Sequence, residues 1–239
     1  MKIGIGITSY NRPECLKECL EHIFKHTLSK IYCLDDYDVC VKSLVNQASC
    51  DYELTKSKDQ VKIVVATDTN EDRRGVAFRK NECLRALKDC DYVFLFDDDC
   101  FPIKDGWIDF FIDGCKYGYS HFLFMNPKLH RIQGRYNNRD VYNDCGGVFM
   151  FLTKKDIERV GAFNEAFSPY GFEHAEYSKR VSPACPYMML LGTENYIYSH
   201  DYSTPNHKSS ITDEEKKECI KNNWSKFFDC KIDSIYLPL

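Results

Sequence analysis

Residues 92–99 read YVFLFDDD, five apolar or aromatic side chains in succession and then three aspartates. A run of that length, without the polar alternation of a half-exposed strand, fits a strand covered on both faces. Such strands belong to parallel sheets wrapped by helices. The abrupt end of the run also marks where chemistry would sit, because open α/β sheets bind ligands beyond the carboxyl ends of their strands.

The same pattern recurs outward from this point. Residues 3–7 form a short apolar strand that breaks off at Thr8-Ser9-Tyr10-Asn11-Arg12, and Pro13 can open a helix where its missing N–H does no harm. Leu16, Leu20, Ile23 and Phe24 then repeat at helical spacing. Residues 61–66 predict a buried strand running into a polar loop, and Gly75 starts a helix with Ala77, Leu84 and Leu87 inward. Strand, helix, strand, helix, strand predicts a parallel sheet with helices on both faces. It gathers three polar clusters, residues 8–12, 67–72 and 97–99, along one edge.

Residues 28–60 are harder to place: 31–34 could form a strand ending at Asp35-Asp36, with a polar helix after it. Downstream, strands are predicted at 122–125, 148–152 and 196–199, and helices at 154–160, 173–181 and 213–228. The polar stretch 126–143 reads as a loop or hairpin. No repeat, low-complexity tract or linker interrupts the chain, so residues 1–239 are read as one domain. Its two halves divide at about residue 125.

Composition excludes several function classes. A formal net charge of −4, spread over both halves, leaves no electrostatic footprint for nucleic acid or an anionic membrane. No apolar run approaches the ~20 residues needed to span a bilayer, and the opening MKIGIGITSYNRPE turns polar too early for a secretory leader. The thirteen cysteines are odd in number, lack any CxxC pair and scatter through predicted helices and strands, which suits reduced thiols rather than a disulfide framework. The expected compartment is therefore the cytoplasm.

Three adjacent carboxylates repel one another, and a hard divalent cation relieves that. Mg²⁺ and Mn²⁺ both take oxygen ligands, and Mg²⁺ is commonly held by one or two carboxylates together with substrate phosphates. In an extended chain Asp97 and Asp99 would point one way and Asp98 the other. A solvated acidic turn is the plainer alternative for such a triplet. Near Gly75, a helix start with Arg73, Arg74, Arg79 and Lys80 around it favours an anion.

Four blocks resemble family 2 glycosyltransferases of the GT-A fold, in the family's order: GITSYNRPE (6–14), RRGVAFRKN (73–81), FLFDDDCFP (94–102) and the closing segment 146–181. The resemblance implies an α/β fold with a mixed, mostly parallel sheet flanked by helices, its nucleotide-sugar-binding half running to about residue 125 and its acceptor-side half from about 126. It implies transfer of a sugar from a nucleotide diphosphate donor, UDP-linked by preference, to a glycan, protein or other hydroxyl acceptor. By position, Asp97 and Asp98 would face the donor's ribose or sugar, and Asp99 would bind the metal. Thr8, Tyr10 and Arg12 would line the nucleoside pocket, with Lys80 near the phosphates or sugar. An acidic residue gripping the base falls on Asp68, in VVATDTNED, with Asp36 as the competitor. A C-terminal histidine as further metal ligand falls on His200, which ends the predicted strand, ahead of His207.

The chain departs from the family at Gly171-Phe172-Glu173-His174. Inverting relatives place Glu-Asp here, and the Asp takes the acceptor's proton. Either His174 or Glu173 could serve as base, and Glu-His-Ala-Glu is no further from the Glu-Asn-x-Glu of retaining relatives. An inverting transferase is the preferred expectation. A nucleotidyltransferase on a similar sheet and a non-catalytic glycan- or nucleotide-binding module are the alternatives.

Overall fold

The computed structural model describes residues 1–28, 49–54, 60–126, 128, 132–136, 139–142, 146–183, 190–204, 211–229 and 236–239. The central sheet is built from β1 (Lys2–Tyr10), β2 (Ser49–Leu54), β3 (Gln60–Asp68), β4 (Tyr92–Asp97), β6 (His121–Phe124) and β9 (Gly146–Thr153), in the order β2-β3-β1-β4-β9-β6. β1 pairs in parallel with β3 and β4, whereas β9 runs antiparallel to β4 and to β6, and β2 antiparallel to β3. Four of the six strands therefore share one direction.

Period-two alternation sorts the core into two faces. Ile3, Ile5 and Ile7 of β1, Ile63 and Val65 of β3, Phe94 and Phe96 of β4 and Phe149 and Phe151 of β9 meet helix α1 (Pro13–Leu28) and α3 (Trp107–Gly114). That side is aromatic, with Phe94 and Trp107 edge-to-face at 4.7 Å. The opposite face carries Val64, Val93, Leu95, Met150 and Leu152 beneath α2 (Val76–Ala86), α4 (Lys154–Val160) and α5 (Glu173–Val181). A Cβ at Gly6 would stand 2.7 Å from that of Cys83, so the bare backbone of β1 lets α2 sit close.

A two-stranded ribbon pairs β5 (Cys100–Pro102) with β10 (Ile197–Ser199), and the short α6 (His200–Ser203) follows directly. The stretch left open between loop and hairpin contains the antiparallel pair β7 (Ile132–Tyr136) and β8 (Arg139–Tyr142). Helix α7 (Asp213–Asp229) closes the described chain apart from a parallel bridge between Gly161 and Leu237. Residues 28–60 contribute β2, an antiparallel edge strand that the sequence reading did not assign. The possible strand at 31–34, Asp36 and His207 lie outside the described residues. Among the described residues no helix is long and apolar enough to cross a membrane, and Cys15, Cys19, Cys83, Cys90, Cys100, Cys115 and Cys219 are free thiols.

Candidate active site

β1, β3 and β4 end side by side, with Tyr10 opposite Asp68 and Thr8 opposite Asp97. Their ends open on a cleft with an empty volume of about 980 Å³, including its solvent mouth. β4 stops at Asp97, and Asp98-Asp99 form a turn rather than the extended continuation expected. Asp97 and Asp99 nonetheless both line the cleft. Asp98 lies behind it, fully buried, where Ser9 donates its hydroxyl at 2.6 Å and Arg12 forms an ion pair. Burial outweighs that ion pair and pushes the Asp98 carboxyl up to about 7. Arg12 bridges the turn by also holding Asp99 at 2.6 Å, while Thr8 donates its hydroxyl to Asp97 at 2.9 Å.

Lys80 comes from α2 but lies beneath the cleft, only 1% exposed. Its ammonium sits 3.3 Å from Glu173, 3.7 Å from Asp97 and 3.0 Å from the Gly147 carbonyl. Burial alone would lower the Lys80 pKa and raise that of Glu173. The charges override it: Asp97 and Glu173 raise the lysine, and Lys80 with His174 hold the Glu173 carboxyl well below the usual carboxylate range. Phe172, at the N-terminal end of α5, has φ 71°, uncommon for a residue with a side chain. Its ring packs on Phe227 and Trp224 of α7, at 5.1 and 5.7 Å.

On the other side of the cleft, Tyr10 donates its hydroxyl to Asn70 at 3.0 Å, and the Arg73 guanidinium lies 4.8 Å above its ring. Arg73 in turn pairs with Glu215 of α7 at 3.0 Å. Asp68 accepts from the backbone N–H groups of Arg74 and Gly75 at 2.9 and 2.7 Å, and from Arg79 at 2.7 Å. Both of its oxygens thus brace the loop that opens α2. Gly75 takes φ 92° there, against Pro169, a conformation costly for any side chain. Asn223 of α7 donates to the carbonyls of Phe167, Tyr170 and Gly171 at 2.8, 2.9 and 3.1 Å, tying down the segment before Glu173.

Of the eleven residues expected at the site, Thr8, Tyr10, Arg12, Asp68, Asp97, Asp99, Glu173 and His174 line the cleft. Lys80 and Asp98 support it from behind. His200 is directed elsewhere: its imidazole meets Glu18 at 2.9 Å and Thr204 at 3.0 Å, and its neighbour Asp201 lines the cleft instead. The sequence reading also missed Tyr170 and Lys216. Burial raises the Tyr170 hydroxyl pKa, and Glu173, Asp201, Asp97 and Asp99 push it further the same way, so four carboxylates bear on one phenol. Lys216 lies 5.9 Å from that ring, and no described carboxylate pairs with it. Nothing in the charged run DEEKKEC distinguishes it from its neighbours. For Asp201, position next to a strand-end histidine was the available signal.

No protein-family model matches the chain. A protein of Acanthamoeba polyphaga mimivirus, named an uncharacterized glycosyltransferase, is 25% identical over 260 residues, covering 96% of both chains. Among solved structures, TarS of S. aureus is similar with a TM-score of 0.54 at 10% identity, over 98% of this chain. The chain spans only 41% of that TarS chain. TarS 1-349 in complex with UDP gives a TM-score of 0.52 at 12% identity, over 98% of this chain and 68% of that one. The fold is the GT-A fold of glycosyltransferases.

Proposed function

We propose that this GT-A glycosyltransferase moves a sugar from a nucleotide diphosphate donor, UDP-linked by preference, to an acceptor hydroxyl with the help of Mn²⁺ or Mg²⁺. The observation that carries the reading is the acidity of the cleft. Asp97, Asp99, Asp201 and Glu173 line it with Asp98 behind them, and the cations around it other than Lys216 are already engaged: Arg12 by Asp98 and Asp99, Arg73 by Glu215, Arg79 by Asp68, and Lys80 by Glu173. A diphosphate entering that field meets excess like charge unless a cation comes with it. The available groups are hard oxygen donors, which suits Mn²⁺ or Mg²⁺. Among the described residues no three already stand as a cage, so donor phosphate oxygens would complete the coordination. Asp99 is the proposed protein ligand, and Asp201 is better directed than His200 to assist it. When bound, the ion would neutralise the diphosphate as negative charge develops on it.

The chain's own residues supply the rest. Tyr10, with Arg73 over its ring, offers the base a stacking surface, and Lys216 offers the phosphates a cation. Glu173 and His174 meet the acceptor from the opposite wall. The 25% identical viral relative and the UDP complex of a protein with this fold support the donor class. The same proposal puts the protein in the cytoplasm, supported by the free thiols of Cys15, Cys19, Cys83, Cys90, Cys100, Cys115 and Cys219.

A screen of nucleotide sugars with Mn²⁺ should release nucleoside diphosphate, most from a UDP-sugar. Pyrophosphate release from a nucleoside triphosphate and a sugar phosphate would indicate a nucleotidyltransferase instead. Binding of UDP with no turnover of any donor would indicate a binding module. Lys216→Ala should lower kcat/KM for the donor about tenfold, worth ~1.4 kcal/mol, without moving the melting temperature. An unchanged kcat/KM would remove Lys216 from the donor site.

A further inference from the structure

We infer that Glu173 and His174 form a dyad in which His174 Nε2 takes the acceptor's proton while Glu173, Gly147 and Lys80 position the imidazole. The inference rests on the transferase reading and specifies its acceptor side. The His174 ring lies at the cleft wall with its side chain 20% exposed, and its Nδ1 stands 3.3 Å from Glu173 Oε1. An ionised carboxylate can only accept, so Nδ1 carries the hydrogen and Nε2 is the basic nitrogen. This is the logic by which a buried carboxylate orients a catalytic imidazole in hydrolases.

Two further contacts hold the ring. A Cβ on Gly147 would stand 2.5 Å from both Cγ and Nδ1 of His174, so the imidazole rests on bare backbone of β9 that no larger residue could offer. The carbonyl of the same glycine receives Lys80, whose ammonium also holds Glu173. Strand β9, helix α2 and helix α5 thereby converge on one ring. Glu173 is poorly suited to be the base itself: it is 5% exposed, shared between Lys80 and His174, and held far down in proton affinity. Among the described residues the other charged or titratable groups around the cleft are Asp97 and Asp99 after β4, Asp201 on α6, Tyr170 before α5, Lys216 on α7, Arg12 after β1, Asp68 at the end of β3, Arg73 just before α2 and Arg79 on it, and Lys80 beneath Glu173. The Glu173 carboxylate beside Nδ1 favours an imidazolium once the proton has moved.

In the step, the acceptor oxygen bonds to the donor's anomeric carbon as its proton passes to Nε2. The bond from that carbon to the diphosphate oxygen breaks, and its electron pair leaves with the diphosphate. Attack opposite the leaving group inverts the anomeric configuration.

Transfer should be measured with the full chain, Mn²⁺ and the donor found by the screen, with calorimetric titration of UDP alongside. His174→Ala should cut kcat by about 10²–10⁴-fold at unchanged UDP affinity, and added imidazole should restore part of it. Wild-type kcat should fall on acidification through the histidine range, since the neutral ring is required. Glu173→Gln should move that limb to lower pH, because the amide still accepts from Nδ1 but no longer stabilises the cation. Gly147→Ala should lower kcat without weakening UDP. His174→Ala within threefold of wild type, an acid limb unmoved by Glu173→Gln, or a product of retained configuration would each overturn the dyad. If His174→Ala fails to fold, the Glu173→Gln limb and the product configuration decide. A wild type that turns over no donor would instead overturn the transferase reading beneath it.

Discussion

Asp99→Asn is expected to abolish metal-dependent donor binding and to cost at least about a hundredfold in kcat/KM, ~2.7 kcal/mol of transition-state stabilisation. The amide keeps the shape of the carboxylate and removes its charge, which is the property a hard cation requires. The fold should survive, since Arg12 keeps its ion pair with Asp98. Calorimetric titration of UDP into wild type with Mn²⁺, wild type with chelator, and the variant with Mn²⁺ checks this. The last two should resemble each other and differ from the first. If wild type binds UDP equally well in excess chelator, neither Asp99 nor the acid cluster works through a metal.

Lys80→Met is expected to have the largest effect on stability. The substitution keeps most of the buried stem and leaves Asp97 and Glu173 without their shared cation. Breaking a buried ion pair from one side costs about 3–5 kcal/mol, so the melting temperature should drop by ~10 °C. The sign of the pH dependence follows from Glu173. In the wild type its folded pKa is depressed, so its contribution is present above the unfolded value and is lost as pH falls through the folded one. Without Lys80, burial dominates and the proton is bound more readily in the fold. The deficit relative to wild type should therefore be greatest at neutral pH and shrink on acidification toward pH ~5. Thermal melts of both proteins across that window measure it. A deficit independent of pH would mean that Lys80 acts by packing alone.

The strands buried on both faces were legible because their apolar runs leave no other period to fit, and the carboxyl-end rule then located the cleft. β2 was not, because Ser49–Leu54 mixes acidic and apolar residues and is an edge strand. Helix α3 was missed as well: in Trp107–Gly114 apolar residues stand at adjacent positions, so no helical stripe separates from a strand-like run. At the site, residue type and order were readable but direction was not. Arg79 and Lys80 are neighbours in one helix, both buried, and only the fold decides that one braces Asp68 while the other lies under Glu173. Alternation along an extended chain correctly separated Asp98 from its two neighbours, although the segment is a turn. His200 and Asp201 show the reverse case, in which a favoured residue type points away and its neighbour faces the cleft.

The three carbonyls held by Asn223 make the protein's chemical ageing a matter for one buried amide. Hydrolytic loss of that amide would convert Asn223 to aspartate without changing its shape, turning the donor toward Phe167, Tyr170 and Gly171 into an acceptor. Three carbonyl oxygens would then face a carboxylate, each losing its partner at a site 1% exposed, where water could not replace it. The segment leading to Glu173 would loosen while the central sheet stayed intact. Preparations that have lost this amide should thus both melt lower and turn over less, a joint loss that originates some fifty residues from Glu173 and His174.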